Sequence, residues 1–166
     1  MNYVLEVNEA DEVIGKQEKL YAHQQGILHR AFSIFIFNSQ GELLLQQRAD
    51  GKYHCGGLWT NTCCSHPLPN EDTLAAAHRR LMEEMGFDCE LNFVQKFRYK
   101  AIMDNSLVEN ELDHIYKGVY NGEICPNPEE VQAIKYVSWE ELQADLQQNP
   151  EQYTPWLKLI CASVAI

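Results

Sequence analysis

Two apolar blocks flank a run of turn formers near the start of the chain. Phe32 to Phe37 reads as a fully buried strand, Glu42 to Gln47 as its partner, and Asn38-Ser39-Gln40-Gly41 as the hairpin turn between them. Further on, Leu91 to Lys100 and Glu109 to Tyr120 are rich in aromatic and β-branched residues and predict two more strands, with another around Ile134 to Val137. The period changes between these blocks. Leu74, Ala77, Leu81 and Met85 fall on one helical stripe, with Asn70 as the expected cap and Gly86 as the stop. Ser138-Trp139-Glu140-Glu141 opens a second amphipathic helix to about Gln148, in the pattern of a capping box. Thr154-Pro155-Trp156 places a cap and a first-turn proline ahead of an apolar helix from Trp156 to about Val164. Strands before, between and after helices predict an α+β fold, a mixed sheet with helices packed on it. Residues 52 to 70 have little periodicity and read as a long loop, which in a compact domain usually carries function. No repeat or linker divides the chain, so residues 1 to 166 are expected to form one domain.

Composition narrows the class. With 24 acidic and 13 basic residues the formal charge is −11, which disfavours nucleic acid, since a phosphate backbone is bound by clustered Lys and Arg. Apolar residues make up 45%, enough for a sizeable core. No stretch approaches the roughly 18 apolar residues of a membrane span, and Met1 to Glu6 lacks an export signal. The expectation is a cytoplasmic, monomeric protein with no membrane or nucleic-acid partner and with reduced thiols, although six cysteines are present. An anionic substrate would have to be neutralised locally, by a few cations or a metal.

Three segments carry candidate chemistry. One is the loop Thr60-Asn61-Thr62-Cys63-Cys64-Ser65-His66-Pro67, another is Glu109-Asn110-Glu111, and the third is the pair His23 and His29. On a strand Glu109 and Glu111 share a face while Asn110 points away. Such a pair is most often a solvated strand face, and a lone histidine is more often packed than ligating. Three histidines and two carboxylates would nevertheless make a five-ligand nitrogen and oxygen set with one open position, suited to an octahedral divalent ion. His54, His78 and His114 are left without a role by this reading.

The helix ending at Gly86 resembles the Nudix signature, whose glutamates hold magnesium ions on a diphosphate. Glu71, Arg79, Leu81, Glu83, Glu84, Gly86 and Phe87 fall at matching positions, with Ser65 in place of the first glycine and Arg80 in place of one glutamate. Arg80 removes a ligand from the hydrolytic metal cluster and sets a cation one turn from Glu84. An ordinary Arg80–Glu84 ion pair is the plainer explanation of the same residues.

Leu28-His29-Arg30-Ala31-Phe32-Ser33, Leu44-Leu45-Gln46-Gln47-Arg48, the Thr60 to Pro67 loop, Phe97-Arg98-Tyr99, Glu109-Asn110-Glu111 and Thr154-Pro155-Trp156 together resemble type I isopentenyl diphosphate isomerases, in family order from Lys19 to Trp156. The resemblance implies a Nudix-type mixed β-sheet sandwiched by helices. It also implies the metal-dependent interconversion of isopentenyl and dimethylallyl diphosphate, a step of isoprenoid biosynthesis. By the same resemblance Cys64 and Glu111 are the proton-transfer residues, with Tyr99 assisting Glu111. Glu111 is allotted the protonation of the alkene and Cys64 the removal of a proton, in an order the sequence leaves reversible. A tightly bound Mg2+, Mn2+ or Zn2+ is implied on His23, His29, His66, Glu109 and Glu111, with His23 the least certain ligand because six positions separate it from His29. A second Mg2+ is implied between Glu84 and the diphosphate, whose oxygens lie near Lys19, Arg48, Lys52 and Arg80. Trp156 either faces the hydrocarbon or anchors the last helix, and Cys63, pointing away from Cys64, is a packing residue. The competing readings are a Nudix pyrophosphohydrolase acting on a nucleotide or isoprenoid diphosphate, which Arg80 opposes, and a non-catalytic metal-binding domain.

Overall fold

The computed structural model describes residues 2–52, 54–103 and 105–166. It begins with a β-hairpin, β1 (Tyr3–Val7) and β2 (Val13–Glu18), followed by a short helix α1 (Lys19–Gln25) and the long strand β3 (His29–Phe37). The hairpin and α1 were not foreseen. Val13 and Ile14 are exposed, so β2 shows no clean alternation of inside and outside residues.

Strand β4 (Leu43–Arg48) follows the expected turn, but the two strands pair in the ladder only at Phe37 and Leu43. The two strands then separate, because each edge of β3 is taken by another partner. Over its whole length β3 runs parallel to β8 (Val108–Val119), and Phe32 to Ile34 pair with β6 (Cys63–Ser65). β4 instead pairs antiparallel with β9 (Val131–Val137) and with the two-residue β5 (Trp59–Thr60). The expected loop of residues 52 to 70 therefore contains two short strands. β7 (Asn92–Ile102) completes the sheet antiparallel to β8.

Alternate residues of β3 serve two cores. Phe32, Ile34 and Ile36 pack with Leu44 against Ala76, Ala77, Leu81 and Met85 of α2 (Thr73–Met85). Phe35 packs on the other face with Leu43, Leu45 and Ile115 against Leu142 of α3 (Trp139–Gln148) and Leu157 and Ile160 of α4 (Pro155–Ser163). Helices on both faces explain why β3 is apolar throughout rather than alternating.

The helix ends are set by local chemistry. Ser138 caps α3 by accepting from the Glu141 amide at 3.1 Å, and Thr154 caps α4. The cap of α2 is Asp72, whose carboxylate accepts from the Ala75 amide at 3.1 Å; Asn70, expected in that place, lies two residues earlier with φ of 66°. Both residues suit a cap, but Asn70 occupies the left-handed turn that leads to it. Gly86 ends α2 at φ of 73°, and a Cβ there would meet the Cys125 carbonyl oxygen at 2.2 Å.

Candidate active site

The two histidines before β3 are positioned by backbone. His23 Nδ1 lies 2.6 Å from the Lys19 carbonyl within α1, and His29 Nδ1 lies 2.8 Å from the Ile27 carbonyl. Each Nδ1–H donates to a carbonyl oxygen, which turns Nε2 of each ring inward. Gly26, with φ of 67°, ends α1 and turns the chain, bringing the two rings to 4.9 Å between centroids. The spacing that made His23 uncertain is thus accommodated by one left-handed residue.

Strand β8 supplies the carboxylates. Glu109 and Glu111 share one face, while the Asn110 side chain donates to the Gly26 carbonyl at 2.9 Å. His23 Nε2 lies 3.1 Å from Glu109, His29 Nε2 3.1 Å from Glu111, and His66 Nε2 2.7 Å from the same Glu111 oxygen. Donor atoms of His23, His29, His66, Glu109 and Glu111 all lie within 4.8 Å of one another. Opposite ligands of an octahedral ion at about 2.1 Å stand about 4.2 Å apart, so the cluster has the dimensions of a divalent-cation site. Its electrostatics agree: imidazole nitrogens face carboxylate oxygens, an arrangement that calls for a proton or a cation between them, and Glu109 Oε2 is buried with no hydrogen-bond partner among the described residues.

Protonation follows from these contacts. Burial depresses the His23 imidazole, but the hydrogen bond and charge of Glu109 outweigh it and hold its pKa above the ordinary value. For His66 burial prevails over Glu111 and brings the pKa down to about 4. Burial of Glu111 is outweighed by His66 and His29, which keep its carboxyl well below the usual range. Tyr99, paired with Glu111 across β7 and β8, donates its hydroxyl to the remaining Glu111 oxygen, and burial and the nearby carboxylates push its own pKa well up.

Cys63 and Cys64 point to opposite sides of β6. Cys63 is wholly buried in the core beneath α2, while Cys64 faces a cavity of about 520 Å3. The Cys64 thiol donates to Asn61 Oδ1 at 3.0 Å and lies 3.7 Å from Ser33 Oγ; burial, reinforced by the charge of Asp113, pushes it up to about 12. No disulfide joins the cysteines among the described residues. The same cavity is lined by Lys19, Arg48, Lys52, His66, Arg80, Glu84, Tyr99, Glu109, Glu111 and Trp156. The catalytic, metal-ligand and substrate-binding candidates from the sequence therefore line this cavity, apart from His23 and His29, which reach Glu109 and Glu111 on its wall.

A NUDIX domain model matches residues 27–157. An isopentenyl-diphosphate Delta-isomerase of Serratia proteamaculans is 53% identical over 154 residues, 93% of this chain and 86% of that protein. One of Pectobacterium atrosepticum is 50% identical over 161 residues, 97% of this chain and 90% of that protein. This chain belongs to the isopentenyl-diphosphate Delta-isomerase family. The fold itself is shared more widely. A crystal structure of a Deinococcus radiodurans protein superposes with a TM-score of 0.83 at 18% identity, covering 99% of this chain and 100% of that one. A MutT NUDIX hydrolase of Burkholderia pseudomallei gives 0.65 at 18% identity, covering 83% and 98%.

Within this isomerase-family framework the cations are already engaged. Arg80 donates to Ser65 at 3.1 Å, Glu83 at 2.7 Å, Glu84 at 2.8 Å and Glu130 at 2.6 Å, and Lys52 meets Glu130 at 3.2 Å. The Arg80–Glu84 ion pair thus exists at the position where the Nudix signature has a second glutamate. Glu84 also accepts from Gln46 at 3.0 Å and stands apart from the five-donor cluster. Arg48 Nε and Trp156 Nε1 are buried with no hydrogen-bond partner among the described residues. Burial, with Lys52 and Arg48 nearby, lowers the Lys19 pKa.

Sequence reasoning missed Glu130, which bridges Lys52 and Arg80, and Asp113, to which Ser33 donates at 2.6 Å behind Cys64. Asp113 was within reach, since it continues the same-face series of Glu109 and Glu111. Of the three histidines left aside, His78 pairs with Asp88 at 2.6 Å and His114 with Asp11 at 2.8 Å, away from the cavity, while His54 enters it. No helix among the described residues is long and apolar enough to cross a membrane.

Proposed function

We propose that this chain is an isomerase that interconverts isopentenyl and dimethylallyl diphosphate. The observation that carries the reading is that a thiol, Cys64, and a tyrosine-supported carboxylate, Glu111, open into one cavity that is also lined by five cationic side chains, Lys19, Arg48, Lys52, Arg79 and Arg80. A hydrolase has no use for that thiol, and Arg80 stands where its metal cluster needs a glutamate. Relatives carrying the isomerase name at about half identity support the same conclusion.

The reaction moves a proton: one is added to the terminal alkene carbon and another leaves the carbon next to the CH2O group. An alkene is a very weak base, so the acid has to be held in place and the tertiary cation shielded from water. Glu111, with Tyr99, and Cys64 are the two proton-transfer groups. The sequence reading gave protonation to Glu111 and deprotonation to Cys64; burial raises the pKa of the Cys64 thiol, while for Glu111 burial is outweighed by His66 and His29, which favour the ionised carboxylate. Because the rearrangement is reversible, the same pair works in either sense, and the protonation state on substrate binding sets which group acts first. Trp156, 3% exposed and on the cavity wall, anchors the last helix and would also stabilise the cation with its ring.

His23, His29, His66, Glu109 and Glu111 would hold a divalent ion, Mg2+, Mn2+ or Zn2+, which supplies a fixed charge that pins the Glu111 carboxylate and changes its proton affinity. Glu84 would hold a Mg2+ on the diphosphate, and Lys19, Arg48, Lys52 and Arg80 meet the phosphate oxygens directly. The deciding experiment is incubation with isopentenyl diphosphate, Mg2+ and Mn2+ in D2O, followed by NMR. Deuterated dimethylallyl diphosphate is expected; phosphate release without it would overturn the reading.

A further inference from the structure

Accepting that reading of the site, one buried group on the cavity has no part in the chemistry above. His54 is 6% exposed, in the loop between β4 and β5, and touches both halves of the site. Its Nε2 lies within hydrogen-bond distance of Glu109 Oε1, and its Nδ1 lies 3.4 Å from Arg48 Nη2, which also donates to the His54 carbonyl at 3.2 Å. The ring stands 5.7 Å from Trp156, over which the Arg48 guanidinium lies at 5.2 Å.

The partners fix the tautomer. A guanidinium only donates, so Nδ1 accepts and the ring hydrogen is on Nε2, aimed at Glu109 Oε1. A glutamate carboxylate is otherwise free to rotate about its last bond, which has a broad preference. Held through Oε1, it leaves Oε2, the buried oxygen without a partner, for the ion. We propose that His54 is a positioning residue that locks the rotation of the Glu109 carboxylate and ties it to Arg48, so that the cation site and the diphosphate site are set by one imidazole. Partners of this kind behind a metal ligand are worth about ten- to a hundredfold in metal affinity.

The test compares wild type with His54→Phe, which keeps the ring and removes the donor, and with His54→Gln and His54→Asn. The Gln amide reaches the Nε2 position and the Asn amide does not. Mn2+ affinity of the metal-free full chain is measured by electron paramagnetic resonance without substrate, alongside kcat and KM for isopentenyl diphosphate. His54→Phe is expected to weaken Mn2+ binding about ten- to a hundredfold and to raise KM, with His54→Gln recovering most of the affinity. Unchanged Mn2+ affinity in His54→Phe, or equal loss in Phe and Gln variants, overturns the proposal. If the Phe variant does not fold, the Gln and Asn pair decides: affinity kept by Gln and lost by Asn supports the role, and equal affinities overturn it. A wild-type protein that binds Mn2+ yet fails to isomerise the substrate overturns the proposed function alone, because the Mn2+ comparison still reports on His54. Failure of wild type to bind Mn2+ overturns both the ion site and the role of His54.

Discussion

Tyr99 stands opposite Glu111 across β7 and β8, and its hydroxyl donates to one carboxylate oxygen while His29 and His66 converge on the other. Both oxygens of this carboxylate are therefore held from the protein side, while the group still borders the cavity. Tyr99→Phe keeps the ring and deletes only the donor. Steady-state kinetics on that variant should show kcat lowered by about 10²-fold or more with KM little changed, because the lost contact is to a proton-transfer group and not to the diphosphate. A rise confined to KM would remove Tyr99 from the proton-transfer machinery.

Cys63 and Cys64 make a matched pair for separating packing from chemistry. Cys64→Ala is expected to abolish turnover, by about 10⁴-fold, with little change in the melting temperature. Cys63→Ala empties a little space under α2, costs about 1 kcal/mol of stability and preserves most of the activity. Assays and melts of the two variants check the assignment, and the reverse pattern would exchange the two residues.

Glu130 occupies Lys52 and Arg80, two of the cations available to a diphosphate. Its carboxyl is held below the ordinary value: burial opposes ionisation, but Arg80 and Lys52 outweigh it. An anionic diphosphate must compete with that charge. Glu130→Gln should accordingly lower KM for isopentenyl diphosphate several-fold at unchanged kcat, and an increase in KM would mean that Glu130 orients the cations instead of competing for them.

Asp11 joins the first hairpin to the rest of the sheet, accepting from Arg30, Lys96 and His114, each at 2.8 Å. Burial opposes its ionised form, but Lys96 and Arg30 outweigh burial and depress its pKa below 3.8. A depressed carboxyl pKa contributes stability above the unfolded value and loses it as pH falls through the folded value. Asp11→Asn suits the left-handed backbone at this position, where φ is 61°. Denaturant unfolding should find it about 1–2 kcal/mol less stable than wild type at pH 7, with the gap closing below about pH 4. A gap that stays constant down to pH 2 would mean that the ion pairs contribute nothing.

What the sequence made legible was local. Gly86, Ser138 and Thr154 stop or cap their helices where expected, because each acts on amides or carbonyls within one turn. Glu109 and Glu111 could be placed on one face from the two-residue period of a strand alone. Asn70 and Asp72 are chemically near-equivalent, and only the turn geometry chose between them. The parting of β3 from β4 was hidden, because it depends on β8 and β6 claiming the edges of β3. His54 and Glu130 were hidden for the same kind of reason, since their partners Glu109 and Arg80 lie 55 and 50 positions away. Convergence of the histidines on the carboxylates came from family resemblance, as spacing cannot carry a contact over 80 residues.

Gly86 lies outside the cavity, yet it is where two strands of traffic in the molecule are clamped together. The absence of a side chain lets the segment from Cys125 lie flat on the end of α2, where the Cys125 and Asn127 amides donate to the Met85 and Glu84 carbonyls at 3.1 and 2.8 Å. Glu130 follows three residues after Asn127, while Arg80 and Glu84 sit in the last two turns of the helix. The clamp makes the helix and the incoming segment a single rigid bracket, so the spacing among the Arg80, Glu84 and Glu130 side chains is set by backbone contacts at the helix end. A methyl group at Gly86 would pry that bracket open and alter the charge pattern of the pocket from behind.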